Sequence, residues 1–288
     1  MTMASAWHRL QKHSAPLLRL TKKPGYWGIL AFAIIPSLLE LAHIDIIWGM
    51  MIYFSVFWIA IFIRYIAPHW PLRWYVYIVL SGLIAGTISV HCGLRLESWW
   101  LSFPWAQHWL HSRQTLLSLA GFTVFIGIAE ELVKQIPLGI FIIITSLGRF
   151  KTQIQDYFVI GISAGIGFSA VENVMYVHRG LAIDALRHTL GSGVATALGR
   201  AVYTPFLHAL WAGLIAYALG RWLVRNSSLP SWSFSQALAF FIFSGFLHGA
   251  YDLTSGRYDL LNILCVAFSY LIFYAYVLRP LRQQPLSA

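Results

Sequence analysis

The chain has 288 residues, of which 58% are hydrophobic and only 10% charged. Soluble domains carry about 25% charged residues, so there is too little charge to cover a water-soluble globule of this size. The net charge of +10 is spread as single Lys and Arg residues between apolar runs. Without a basic stripe or recognition motif it gives no footing for nucleic acid, and it reads instead as a membrane orientation signal.

Residues 1–25 form a basic N-terminal segment carrying Arg9, Lys12, Arg19, Lys22 and Lys23. Runs of about 20 apolar residues cross a bilayer as helices, and eight are expected: 26–45, 47–66, 74–92, 122–147, 157–178, 201–222, 235–253 and 259–278. The first is longer than a signal-peptide core and ends without a small-residue cleavage site, so it reads as an uncleaved span. The expected fold is therefore an all-α polytopic transmembrane bundle. With both termini cytoplasmic, thirteen Lys and Arg fall on inside segments and six outside, as the positive-inside rule asks. Three accessory spans occupy 26–92. An outer interfacial segment follows over 93–121, where Trp99, Trp100, Trp105 and Trp109 alternate with polar residues, the pattern of an amphipathic surface helix or lid. Residues 122–253 form the membrane core that carries the chemistry, and 254–288 the last span and a cytoplasmic tail. A second broken stretch, Leu181–Gly199, is read as another outer segment. Cys92 and Cys265 lack CxxC spacing and indicate neither a disulfide framework nor a zinc knuckle.

Ionisable groups in hydrocarbon cost roughly 2.5–3.5 kcal/mol each on insertion scales, so each one invites a functional reading. The fourth span reads Ala129-Glu130-Glu131-Leu132-Val133-Lys134, with Lys134 one turn beyond both carboxylates. In the fifth, Phe168, Glu172 and Tyr176 share one helix face, and Gly161, Gly165 and Gly167 allow a neighbour close. The sixth carries His208. In the seventh, His248 and Asp252 are one turn apart, a spacing that lets a carboxylate fix the imidazole tautomer or lets both hold one metal. Taken singly, each group has a plainer reading as a helix-pairing charge or hydrogen bond. Together they reach one depth. At about 1.5 Å per residue, Glu172, His208, His248 and Glu130 all fall in the outer third of a core about 30 Å thick.

Gly161-Ile162-Ser163-Ala164-Gly165 matches the nucleophile-elbow pattern, but that elbow needs a strand-to-helix turn and this one lies inside an apolar run. HExxH and the GxGD signature of presenilin-type aspartyl proteases are both absent. Glu40 and His43 match no pattern and are left as structural or pathway residues.

Glu130-Glu131-x-x-Lys134, Phe168-x-x-x-Glu172-Asn173, His208 and His248-x-x-x-Asp252 together resemble the PrsW family of intramembrane proteases, within the superfamily of CAAX-prenyl endopeptidases and Abi proteins. The resemblance covers roughly 122–253 and leaves the first three spans out. It implies hydrolysis of a peptide bond in a membrane-anchored protein, anti-sigma factors being the best-known substrates, in a prokaryotic inner membrane. It also implies a metalloprotease, with Zn2+ or another divalent ion, although superfamily relatives work through a glutamate alone. The expected mechanism uses Glu130 as general base with Glu131 and Lys134 setting its ionisation. His248, oriented by Asp252, holds the water or protonates the leaving group, and His208 and Glu172 complete the polar wall. In a metal version His208, His248 and a carboxylate, Glu172 or Asp252, are the ligands. A transporter or channel using the same groups as an ion relay is the leading alternative; a helix-binding pseudoenzyme and a lipid-modifying enzyme follow.

Overall fold

A computed structural model describes residues 45–66, 71–187, 192–224, 231–255 and 259–282. The expected first span, the basic N-terminal segment, Glu40 and His43 lie outside these residues. Among the described residues all regular structure is helical: α1 Ile46–Ile66, α2 Leu72–Leu101, α3 Pro104–Leu110, α4 Thr115–Leu147, α5 Ile154–Arg187, α6 Ser192–Leu223, α7 Phe234–Thr254 and α8 over 259–282. Seven of these, all but α3, contain stretches long and apolar enough to cross a membrane. An apolar run surrounded by lipid must satisfy its own backbone groups, and the helix does so within one segment.

The chain divides into two compact units, Met1–Tyr53 and Phe54–Ala288. In the first, Asp45 caps the start of α1, its carboxylate accepting the Ile47 N–H at 2.9 Å. In the second, α5 is the central element, packed between α2 and α6. Small residues make both contacts possible. A Cβ on Gly165 would lie 2.2 Å from the His208 carbonyl oxygen on α6, and one on Gly167 would lie 2.2 Å from the Gly82 carbonyl oxygen on α2. Gly161 and Gly165 therefore serve α6 while Gly167 serves α2, on a different face. Ser163 donates to the Val159 carbonyl at 2.7 Å within its own helix, so the nucleophile-like pattern is a packing pattern. Phe158, Ile162 and Ile166 of α5 join Trp211, Leu214 and Tyr217 of α6 in the main buried cluster. At the far end of the pair, Asp156 receives the Trp74 indole N–H at 2.9 Å and the Arg73 guanidinium at 3.0 Å, pinning α2 to the first turn of α5.

Several element ends differ from the sequence expectation. The 93–121 segment is not one surface unit: Leu94–Leu101 completes α2, α3 stands alone, and α4 already begins at Thr115. The stretch Leu181–Gly199 likewise belongs largely to α5 and α6. Hydropathy falls at Arg95, Glu97, Asp184 and Arg187 while the helix hydrogen bonds continue, so the polarity marked a change of surroundings rather than an end of helix. Two helices change pitch beside the site. α2 contains a π-helical turn at Ala85–Ser89, and α4 another at Phe122–Ile128. Such turns recur at functional positions.

Candidate active site

The π-helical segment of α4 lies against α7 with almost no space between backbones. A Cβ on Gly127 would lie 2.1 Å from the Gly245 carbonyl oxygen, and one on Gly249 would lie 2.5 Å from the Thr123 nitrogen. This contact sets the next residues of α4, Glu130 and Glu131, beside His248. Four helices then supply the polar groups to one buried place: Glu130, Glu131 and Lys134 from α4, Glu172 from α5, His208 from α6, and His248 with Asp252 from α7. Glu131 and Lys134 are wholly buried, and Glu130, Glu172, His208 and His248 nearly so.

Lys134 holds both glutamates, with its Nζ 2.9 Å from Glu131 Oε1 and 3.1 Å from Glu130 Oε2. The same ammonium lies 4.6 Å from the centroid of the Phe168 ring. Glu131 Oε1 also meets His248 Nδ1 at 3.0 Å, leaving Nε2 turned to Glu130 Oε2 and Asp252 Oδ2, each at 3.5 Å. Glu131 thus holds the His248 ring by the shorter contact at Nδ1, while Asp252, the partner its spacing suggests, approaches Nε2. Trp211 stacks on the same ring with centroids 4.6 Å apart. His208 stands edge-on to His248 at 5.1 Å and turns Nε2 toward Glu172 Oε2 at 3.3 Å. Glu172 is also held by Arg200, 3.4 Å from its Oε1, whose guanidinium lies over the Tyr176 ring. Asn173 ties this corner together. It accepts from Arg200 Nη1 at 3.0 Å and from Thr204 at 2.8 Å, and donates to the Arg200 carbonyl.

Two groups were missed in the sequence. Arg200 falls just ahead of the sixth apolar run at 201–222, where a charge draws no attention. Glu97 falls in the expected interfacial segment, yet it lies on the continuation of α2 and borders the same cavity as Glu130. A signal for it existed: Leu94, Glu97 and Leu101 recur at i, i+3 and i+7 on one face of α2. Glu97, Glu130 and Glu172 together line a cavity of about 280 Å³, walled on its apolar side by Leu94, Phe168 and Met175.

With this geometry in place, comparison with known proteins decides the family. The chain matches the PrsW family intramembrane metalloprotease model over residues 70–278. It belongs to the PrsW family. Protease PrsW of Halalkalibacterium halodurans is 30% identical over 97 residues, which is 34% of this chain and 38% of that protein. The aligned part therefore spans less than two-fifths of that relative's length. No solved structure matches the chain. The PrsW match is wider than the 122–253 expected from the motifs and takes in α2, the helix that contributes Glu97.

The residues present fit a divalent ion. Glu130, His208 and His248 each offer one ligand atom, and the three atoms lie within 4.8 Å of one another. The donor set of two imidazoles and a carboxylate suits zinc. His208 Nδ1 is buried and without a hydrogen-bond partner, and a carboxylate behind one ring nitrogen of His248 is the usual support for a metal-binding histidine. The carboxylate of this group is Glu130, where the sequence suggested Glu172 or Asp252; each of those approaches a single histidine instead. Glu130 lies about halfway along α4, as Glu172 does along α5.

Proposed function

We propose that the chain is an intramembrane endopeptidase that hydrolyses a peptide bond of a membrane-anchored protein with a water activated beside Glu130. The observation that carries this reading is the convergence of Glu130, Glu172, His208 and His248 from four helices on one buried group that opens into a cavity. A transporter relay needs polar groups strung along a path, whereas these groups close on one point.

Glu130 borders the cavity and takes the water's proton as general base, then returns it to the leaving amine. Glu131 acts one layer back, fixing the His248 ring through Nδ1 so that Nε2 faces Glu130. Lys134 compensates the two adjacent carboxylates. Arg200 and His208 position Glu172 at the cavity wall, where it orients the scissile amide. In place of that base role, Glu130 together with His208 and His248 would hold a divalent ion, which would supply Lewis acidity and lower the pKa of the water. The anti-sigma-factor class of substrate and a bacterial inner-membrane location follow from the PrsW resemblance and are part of the same proposal.

The test is a purified Glu130→Gln variant beside wild type on a membrane-anchored reporter, with metal content measured on both. Cleavage falls on the order of 10²–10⁴-fold in the variant while helix content is kept. Full activity in Glu130→Gln removes the assignment. Bound metal that disappears in His208→Ala and His248→Ala identifies them as ligands.

A further inference from the structure

Beside the cavity at Glu130 lies a second one of about 200 Å³, bordered by Leu101, Leu110, Phe122, Phe125 and Ile126. Its lining is almost wholly apolar side chain, with His111 at its edge. Phe125 is buried, and the rings of Trp100 and Trp105 lie 5.4 and 5.3 Å from it, so the back wall is braced by an aromatic cluster. Glu97 and Leu101 line both cavities, so the two adjoin along one wall of α2.

We infer that this second cavity is a specificity pocket that receives one bulky apolar side chain of the substrate, close to the scissile bond. The inference rests on the protease reading above. Size is compatible: an apolar protein cavity of about 150 Å³ takes up benzene, so 200 Å³ accepts the side chain of Leu, Met or Phe. Continuity selects the occupant. A peptide that presents an amide to Glu130 and runs on along the shared wall passes Glu97, and its next side chain on that side faces the space between Leu101 and Phe125. Glu97 has a matching part to play. A substrate helix must unwind to be cut, and in lipid each freed N–H needs an acceptor. The carboxyl at the junction supplies one for the residue whose side chain enters the pocket.

The experiment uses the full chain in detergent or proteoliposomes with a single-span reporter whose cleavage site has been mapped by mass spectrometry. Residues on both sides of the cut are varied among Ala, Leu, Phe and Trp. The ratio of rates for two reporters in one preparation is read, which is independent of the amount of folded enzyme. Wild type favours Leu or Phe over Ala by roughly tenfold or more at one position, in line with hydrophobic pockets discriminating by 10–200-fold per methylene. Leu101→Trp, which narrows the pocket from its partly exposed side, lowers that ratio to one or below. Ile126→Ala, which enlarges it, raises the relative rate for Trp. Cleavage with a preference that neither variant changes overturns the pocket and leaves the protease reading standing, the space then being filled by lipid. Absence of cleavage of any reporter by wild type overturns both.

Discussion

Lys134 is the residue on which the charge balance of the site depends. It is wholly buried and pairs with two carboxylates at 2.9 and 3.1 Å. Lys134→Met keeps the bulk and removes the charge, leaving Glu130 and Glu131 adjacent and uncompensated. Breaking a buried pair from one side costs about 3–5 kcal/mol, so the variant unfolds at a clearly lower temperature in detergent; an unchanged midpoint would show that the glutamates do not need it. Glu97 makes the contrasting case. It is partly exposed, and Glu97→Leu lowers cleavage about tenfold through KM with metal content and unfolding temperature unchanged, while Glu97→Gln, still an acceptor, retains most activity. A loss of bound metal in Glu97→Leu would place Glu97 among the ligands instead. The buried groups of α4 to α7 were legible because a charge inside an apolar run stands out. Glu97 and Arg200 were not, because each sits where an apolar run gives way to polar sequence and there a charge is unremarked.

At the scale of elements, the apolar runs located the helices well and their ends poorly. Helices α2, α5 and α6 continue through charged residues that face the site or the ends of the bundle, and hydropathy alone cannot distinguish that from a loop. The π-helical turns were invisible, since no residue type demands one. The sequence did carry the small-residue spacing of Gly161, Gly165 and Gly167; the glycine whose Cβ would come nearest a neighbouring atom is Gly127 of α4. Gly127→Val inserts bulk where even a Cβ lies 2.1 Å from a backbone oxygen, and α4 must move away from α7. Overpacking costs about 1–3 kcal/mol, but the functional effect is larger, because Glu131 loses His248. Helix content by circular dichroism is retained while cleavage falls on the order of a hundredfold, the cost of catalytic groups displaced by about 1 Å. A fully active Gly127→Val would show that the α4–α7 contact does not set the site.

For the whole molecule, seven of the eight expected spans are found as helices, and the eighth lies outside the described residues. The orientation remains a reading of charge: the turn holding Arg149 and Lys151 is expected inside, and the one holding Arg113 outside. Alkaline phosphatase fused after Lys151 is therefore inactive and fused after Arg113 active; the reverse pattern inverts the molecule. The four-helix convergence was foreseeable as a shared depth, but which carboxylate meets which imidazole was not. That depends on helix rotation, which one extra residue alters by about 100°.

The π-helical turn at Phe122–Ile128 thus acts as a phase shift in the linear code of α4. A sequence with a regular α-helix there needs one residue fewer to present the same two carboxylates toward α7. Were a PrsW sequence to carry one residue fewer ahead of its paired carboxylates, the gap would mark a difference in helical pitch, and closing it by sliding the carboxylates would pair residues rotated by about 100° from one another.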